Sequence, residues 1–101
     1  MLTIKEITEK LTPVFEANGV TKAVLFGSYA KGTATPDSDV DLVIDTSPEV
    51  RGWAKLAIYG RITDVMDDLK MDIDIIHKNG LKRNSHMSEE VDKTGKVIYE
   101  R

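Results

Sequence analysis

Cysteine is absent from the 101 residues of this chain. Its absence excludes disulfide bonds, thiolate nucleophiles and the usual cysteine-based zinc sites, and it is typical of proteins in a reducing interior. Apolar runs of membrane-spanning length are also absent, and the first residues, 1–6, lack the apolar core of a signal peptide. We therefore expect a cytoplasmic protein that does not associate with a membrane.

An excess of positive charge is also lacking, because 14 Lys and Arg residues face 17 Asp and Glu residues, for a net charge of -3. A general basic field, which holds nucleic-acid polymers, is therefore excluded, and no direct binding of such a polymer is expected. Single nucleotides remain compatible with this charge, since a bound metal ion reverses the local sign.

The length predicts a single domain over residues 1–101, with enough hydrophobic residues, 41%, to form a core. A separate substrate-binding domain of ordinary size does not fit within this length. Whatever the chain acts on is therefore expected to be bound largely outside its own fold.

Hydrophobic periodicity predicts three helices and four strands. The first helix has a capping box at Thr3 and Glu6, and Pro13 is expected to kink or shorten it. The fold predicted is an α/β (α+β) sandwich, a mixed sheet of about four strands with helices on one face and an acidic groove on the more open face. The helices are predicted at residues 4–18, 53–69 and 83–94, and the strands at 22–26, 39–45, 71–76 and 96–99.

The pair Gly27-Ser28 follows the first predicted strand, and Asp39-Val40-Asp41 comes after a ten-residue spacer. Glycine lets the backbone approach a phosphate, serine adds a hydroxyl donor, and Lys31 adds positive charge. Gly-Ser turns are common in ordinary loops, and a solvated surface lysine is as good an interpretation of Lys31. The Gly-Ser pair therefore indicates a phosphate-binding turn only in combination with the acidic residues that follow it.

Asp39 and Asp41 lie about 6 to 7 Å apart on one face of a strand, where they repel by about 2 to 3 kcal/mol at an effective dielectric constant near 20. Asp74 on the third predicted strand adds to this repulsion, with Asp72 as a competitor for the same role. A divalent cation would offset it, so the acids predict a metal site. The alternative is that these positions are acidic because they face water.

Other polar and aromatic residues carry weaker signals. The two histidines, His77 and His86, do not have metal-ligand spacing, and both are expected in loops or on the surface. The second helix carries Trp53, Tyr59 and Met66, which are expected in the core or in a patch that faces a partner. A solvated face is expected for Arg51, Lys55 and Arg61.

With its Gly-Ser turn, short spacer and Asp-x-Asp, the chain resembles the minimal nucleotidyltransferases of the DNA polymerase beta-like superfamily. The apolar flanks Leu25-Phe26 and Leu42-Val43 agree with this family, and Ile73-Asp74-Ile75-Ile76 looks like its third-carboxylate strand. The resemblance implies a polymerase beta-like fold, with Asp39, Asp41 and Asp74 as catalytic residues that hold two Mg²⁺ ions. ATP would then be the substrate, bound at Gly27, Ser28 and Lys31.

The spacer length and the size of the chain look most like the antitoxin of HEPN/MNT toxin-antitoxin pairs. This resemblance implies transfer of AMP from ATP to a tyrosine of a partner HEPN toxin. Two other functions remain open: a non-catalytic antitoxin that neutralises its partner by occlusion, and a small-molecule nucleotidyltransferase that modifies an aminoglycoside-like hydroxyl. The apparent lack of an acceptor-binding domain argues against the second of these.

Overall fold

The fold is described from a computed structural model, which defines residues 3–35, 37–81 and 85–101. Within these ranges the chain forms five helices and four strands, numbered here in chain order. They are α1 (Ile4–Ala17), β1 (Val20–Phe26), α2 (Gly27–Lys31), β2 (Val40–Thr46), α3 (Trp53–Asp68), β3 (Ile73–His77), α4 (Lys78–Leu81), α5 (Ser85–Thr94) and β4 (Lys96–Glu100).

The capping box predicted for α1 is confirmed. The Glu6 amide donates to the Thr3 hydroxyl at 3.1 Å, and the Thr3 amide donates to the Glu6 carboxylate at 3.4 Å. Helix α1 continues through Pro13 to Ala17, because its buried stripe of Ile7, Leu11 and Phe15 packs on the sheet while Pro13 faces solvent. The expected shortening at Pro13 is therefore wrong.

The four strands form one mixed sheet in the order β3-β2-β1-β4. Strand β1 is antiparallel to both of its neighbours, and β2 runs parallel to β3. A parallel pair needs a crossover connection, and α3 supplies it between β2 and β3. The predicted mixed sheet of four strands is confirmed.

One face of the sheet carries the main core. Helices α1 and α3 cover this face, and Ile58, Ile62 and Met66 are the buried residues of α3. The opposite face holds a smaller cluster, in which Val91 of α5 packs with Phe26 and Val43. Helix α5 therefore covers part of the face that was expected to be the more open one.

Several element boundaries differ from those predicted. Strand β3 begins at Ile73 and ends at His77, because His77 pairs with Ile44 across the parallel ladder. His77 is half-buried and its Nε2 lies 2.9 Å from the Thr46 hydroxyl, so the expectation of a loop or surface residue is wrong. The first two residues of the predicted last helix, 83 and 84, lie outside the described residues, as does the side chain of His86.

Candidate active site

The turn between β1 and α2 brings the chain against β2. Phe26 is the last residue of β1 and pairs with Asp41 of β2. Gly27 follows with a φ of +72°, a conformation that side chains disfavour, and a Cβ placed on it would overlap the carboxylate of Asp41. Glycine is therefore required here for two reasons, the backbone angle and the close approach of Asp41.

Asp41 also lies beside Asp74. The parallel register between β2 and β3 pairs these two residues, and neighbouring strands are about 4.8 Å apart. Both side chains leave the sheet on the face opposite the main core, where Asp41 is half-buried and Asp74 is exposed. The register thus brings two carboxylates from separate parts of the sequence together, with Gly27 next to one of them.

Asp39 is exposed and precedes the first residue of β2. The loop before it is held by two hydrogen bonds, from the Thr35 amide to the Ser38 hydroxyl at 2.8 Å and from the Ser38 amide to the Thr35 carbonyl at 3.0 Å. Asp72 is also exposed, and its carbonyl accepts a hydrogen bond of 2.9 Å from the Val40 amide. Both Asp-x-Asp segments therefore enter the sheet side by side.

Helix α2 is a short helix of five residues that begins at the Gly-Ser pair. Ser28 is half-buried in this turn, and Lys31 is exposed at its end. Tyr29 anchors the turn because this residue is only 4% exposed and belongs to the main core. Burial raises the pKa of the Tyr29 phenol, which disfavours ionisation of this hydroxyl.

The carboxylates of this face provide only part of a binding site for a divalent cation. No group of three or more His, Cys, Asp or Glu side chains that could hold a metal ion occurs in the described ranges. Mg²⁺ is usually bound by one or two carboxylates together with substrate phosphates and water, rather than by an all-protein cage. The oxygen ligands of Asp41 and Asp74 fit a site that the phosphates of a substrate would complete.

A cleft that sequence reasoning missed lies on the same face of the sheet, further along β2. Its volume is about 330 Å³, and the ion pair between Lys78 and Asp45, with 3.7 Å between Nζ and Oδ2, lies at its wall. Lys22 of β1 and Val91 of α5 also line it. No local pattern predicts this cleft, because its lining residues come from several separate elements.

Comparison with known proteins assigns the fold to a family. Residues 9–101 match the family described as polymerase beta nucleotidyltransferase. The chain belongs to this family, which confirms the family resemblance predicted from the Gly-Ser and Asp-x-Asp motifs.

Among similar proteins, the protein adenylyltransferase MntA of Thermococcus cleftensis is 34% identical over 86 residues, which are 81% of this chain and 84% of that protein. A crystal structure of a toxin-antitoxin with AMP-PNP has a TM-score of 0.69 at 21% identity, over 93% of this chain and 73% of its own. The MNT antitoxin complex with the tri-AMPylated HEPN toxin of Shewanella oneidensis includes a chain with a TM-score of 0.66 at 16% identity, over 96% and 72% of the two chains. These two structures share the fold of this chain, and together with the family match they confirm the predicted polymerase beta-like fold. None of the helices described here combines the length and apolar character needed to cross a bilayer.

Proposed function

We propose that this chain, acting in the cytoplasm as a single minimal nucleotidyltransferase domain, transfers AMP from ATP to a tyrosine of a HEPN-type toxin. The transfer would silence the toxin, so that the chain acts as an antitoxin. The observation that carries the proposal is the position of Asp41, which lies against Gly27 on one side and beside Asp74 on the other. The relatives described as a protein adenylyltransferase and as MNT antitoxins support the choice of acceptor.

The acidic residues and the Gly27 turn have complementary roles in this proposal. Asp41 and Asp74, with Asp39 just before β2, would hold two Mg²⁺ ions together with the phosphate oxygens of ATP, since these carboxylates do not form a complete metal site by themselves. The ions would supply positive charge to the triphosphate and lower the pKa of the attacking hydroxyl. Gly27 leaves the backbone open to the phosphates, while Ser28 offers a hydroxyl donor and Lys31 a positive charge. Together these residues orient the α-phosphorus for attack and the pyrophosphate for departure.

Asp74 is well placed to accept the proton of the acceptor, because it is exposed at the edge of the sheet. The tyrosine oxygen forms a bond to the α-phosphorus, the bond from that phosphorus to the β-phosphate oxygen breaks, and the phenol proton passes to Asp74 directly or through water. A free tyrosine has a pKa near 10, so removal of this proton is a substantial part of the barrier.

The test is a mass measurement. The chain is incubated with ATP, Mg²⁺ and a HEPN-type toxin, and intact-protein mass spectrometry then records whether the toxin gains one or more AMP units. We expect the modification with the wild-type chain and its loss with Asp41→Asn, because this change removes a carboxylate without changing its size.

Asp45→Asn is the matched control, since Asp45 lies on the same strand and the same face but further from Gly27. This variant should still transfer AMP. Neutralisation of the partner without any change of mass would instead support the occlusion hypothesis and refute the proposal. Transfer of AMP to an aminoglycoside but not to the partner would support the small-molecule alternative.

A further inference from the structure

Helix α3 presents an apolar stripe to solvent on the side away from the core. Trp53 is 86% exposed and Leu56 is 58% exposed, and Ala57 and Gly60 are exposed beside them. These residues are spaced at i, i+3, i+4 and i+7, which is the pattern of a helix face that packs against another helix. Since Ile58, Ile62 and Met66 already pack on the sheet, α3 is apolar on two opposite sides.

Gly60 is a second feature of this stripe. It lies inside α3, where glycine costs stability relative to alanine, and a Cβ placed on it would meet nothing within 4 Å. Neither the backbone nor a neighbouring group within the described chain therefore explains a glycine at this position. Close approach of another backbone would explain it, since a glycine lets two helices approach more closely.

Acidic residues continue the same face toward the end of α3. Asp64, Asp67 and Asp68 are all exposed there. Nearby cations are directed to their own chain, since the Arg51 Nε donates to the Pro48 carbonyl at 3.2 Å and the Arg61 guanidinium donates to the Asn18 side chain. The outward face of α3 thus has an apolar half followed by a negatively charged half.

We propose that this outward face of α3 is the docking surface for a helix of the partner protein, with an apolar stripe followed by Lys or Arg residues. The apolar stripe would cover Trp53 and Leu56 beside Gly60, and the basic end would meet the three aspartates. This inference rests on the proposed function in one respect, namely that the partner is the protein that receives AMP.

Charge complementarity favours such a partner over a second copy of this chain. Two copies packed with parallel α3 helices would set aspartates against aspartates. Two antiparallel copies would place the three aspartates of each helix against the apolar half of the other, and burying carboxylates without cations is unfavourable. A basic helix end avoids both arrangements.

The docking surface and the carboxylates lie on different sides of the sheet. Helix α3 covers the main-core face, whereas Asp41 and Asp74 leave the sheet on the opposite face. A partner docked on α3 therefore leaves the acidic face open, and it must extend past the outer strand β3 to bring its tyrosine to Asp74. Docking then determines how tightly the partner binds, and the carboxylates determine how fast AMP is transferred.

The experiment measures binding of the HEPN-type toxin used in the AMP-transfer assay, by isothermal titration calorimetry. Trp53→Ala and Leu56→Ala should each weaken binding by about tenfold or more, because exposed aromatic and aliphatic anchors dominate such interfaces. Val97→Ala is the matched control, since Val97 is an exposed apolar residue, 53% accessible, on β4. It should bind like the wild type.

The variant Gly60→Ala distinguishes an effect on partner binding from an effect on folding stability. Because a Cβ at this position would meet nothing within 4 Å, the change should improve helix propensity and raise the melting temperature of the chain alone. It should still weaken binding of the partner. In kinetic assays of AMP transfer, Trp53→Ala should raise KM for the partner and leave kcat close to that of the wild type.

Unchanged affinity of both Trp53→Ala and Leu56→Ala would overturn the proposal. So would a dimer of the chain alone, seen by analytical ultracentrifugation, that Trp53→Ala converts to a monomer, because a second copy would then occupy the surface. Weakened binding by these variants in a pair that transfers no AMP would support the docking surface while refuting the proposed function. Efficient AMP transfer by variants whose partner binding is unchanged would support the proposed function while refuting the docking surface.

Discussion

Gly27→Ala offers the sharpest test of how the candidate site is built. The first cost is conformational, because Gly27 has a φ of +72°, where a residue with a side chain loses about 1 to 2 kcal/mol. The second is steric, because the new methyl group would overlap the Asp41 carboxylate, and overpacking of this kind typically costs about 1 to 3 kcal/mol. We therefore expect a loss of about 2 to 5 kcal/mol in the free energy of unfolding.

Gly32→Ala is the matched control for the first cost. Gly32 has a similar φ of +76°, but a Cβ placed on it would meet nothing within 4 Å. This variant should lose only about 1 to 2 kcal/mol. In a domain of this size 1 kcal/mol corresponds to a shift of about 4 to 8 °C in the melting temperature, so thermal unfolding followed by circular dichroism distinguishes the two variants.

A double mutant isolates the contact with Asp41. In Gly27→Ala the new methyl group would lie 3.2 Å from the Asp41 Cγ and 3.5 Å from its Cβ. Asp41→Ala removes the overlapping carboxylate and keeps the Cβ at an ordinary contact distance, so it should recover about 1 to 3 kcal/mol when combined with Gly27→Ala. Equal losses in Gly27→Ala and Gly32→Ala, with no recovery in the double mutant, would refute the close approach of Gly27 and Asp41.

Three further predictions concern the acids and the single described histidine side chain. Asp74→Asn should lower the rate of AMP transfer by about 100-fold or more without lowering the melting temperature, whereas Asp72→Asn should retain activity; equal losses in a mass assay would contradict the role given to Asp74. ATP with Mg²⁺ should raise the melting temperature of the wild-type chain more than that of Asp41→Asn, and no shift at millimolar ligand would argue against nucleotide binding. Burial, together with the charge of Lys55, lowers the pKa of His77 below its unfolded value near 6.5, so the unfolded chain binds the proton more readily. The stability that His77 contributes should be present above about pH 6.5 and be lost as the pH falls through the lower pKa of the folded state. Urea titrations at several pH values should show that the free energy of unfolding depends less on pH in His77→Gln than in the wild type.

Local sequence signals predicted much of the fold. The capping box at Thr3 and Glu6 and the periodic apolar residues of α1 determine that helix from neighbouring positions alone. The short turn after Phe26 was also predicted, because Gly-Ser ends a buried strand. Met66 is fully buried, which agrees with the expectation of a core residue. Trp53 is 86% exposed, which agrees only with the alternative expectation of a patch that faces a partner.

Features that depend on distant pairing could not be predicted from the sequence. The start of β1 at Val20 follows from its pairing with Thr46, and the end of β3 at His77 follows from its pairing with Ile44. The alignment of Asp41 with Asp74 is of the same kind, because a parallel register is determined by packing of the crossover helix rather than by a local turn. The sequence therefore predicts that both acids belong to a site, but it does not predict that they lie opposite each other on neighbouring strands.

The outer position of β3 has a consequence for the lifetime of the carboxylate pair. Strand β3 hydrogen-bonds only to β2 within the described sheet, since the strand order ends there. Outer strands open by local fluctuations that need less free energy than global unfolding, and such an opening would separate Asp74 from Asp41 while β1 and β2 stay paired. Amide hydrogen exchange in β3 would therefore report how often the two carboxylates separate in an otherwise native molecule.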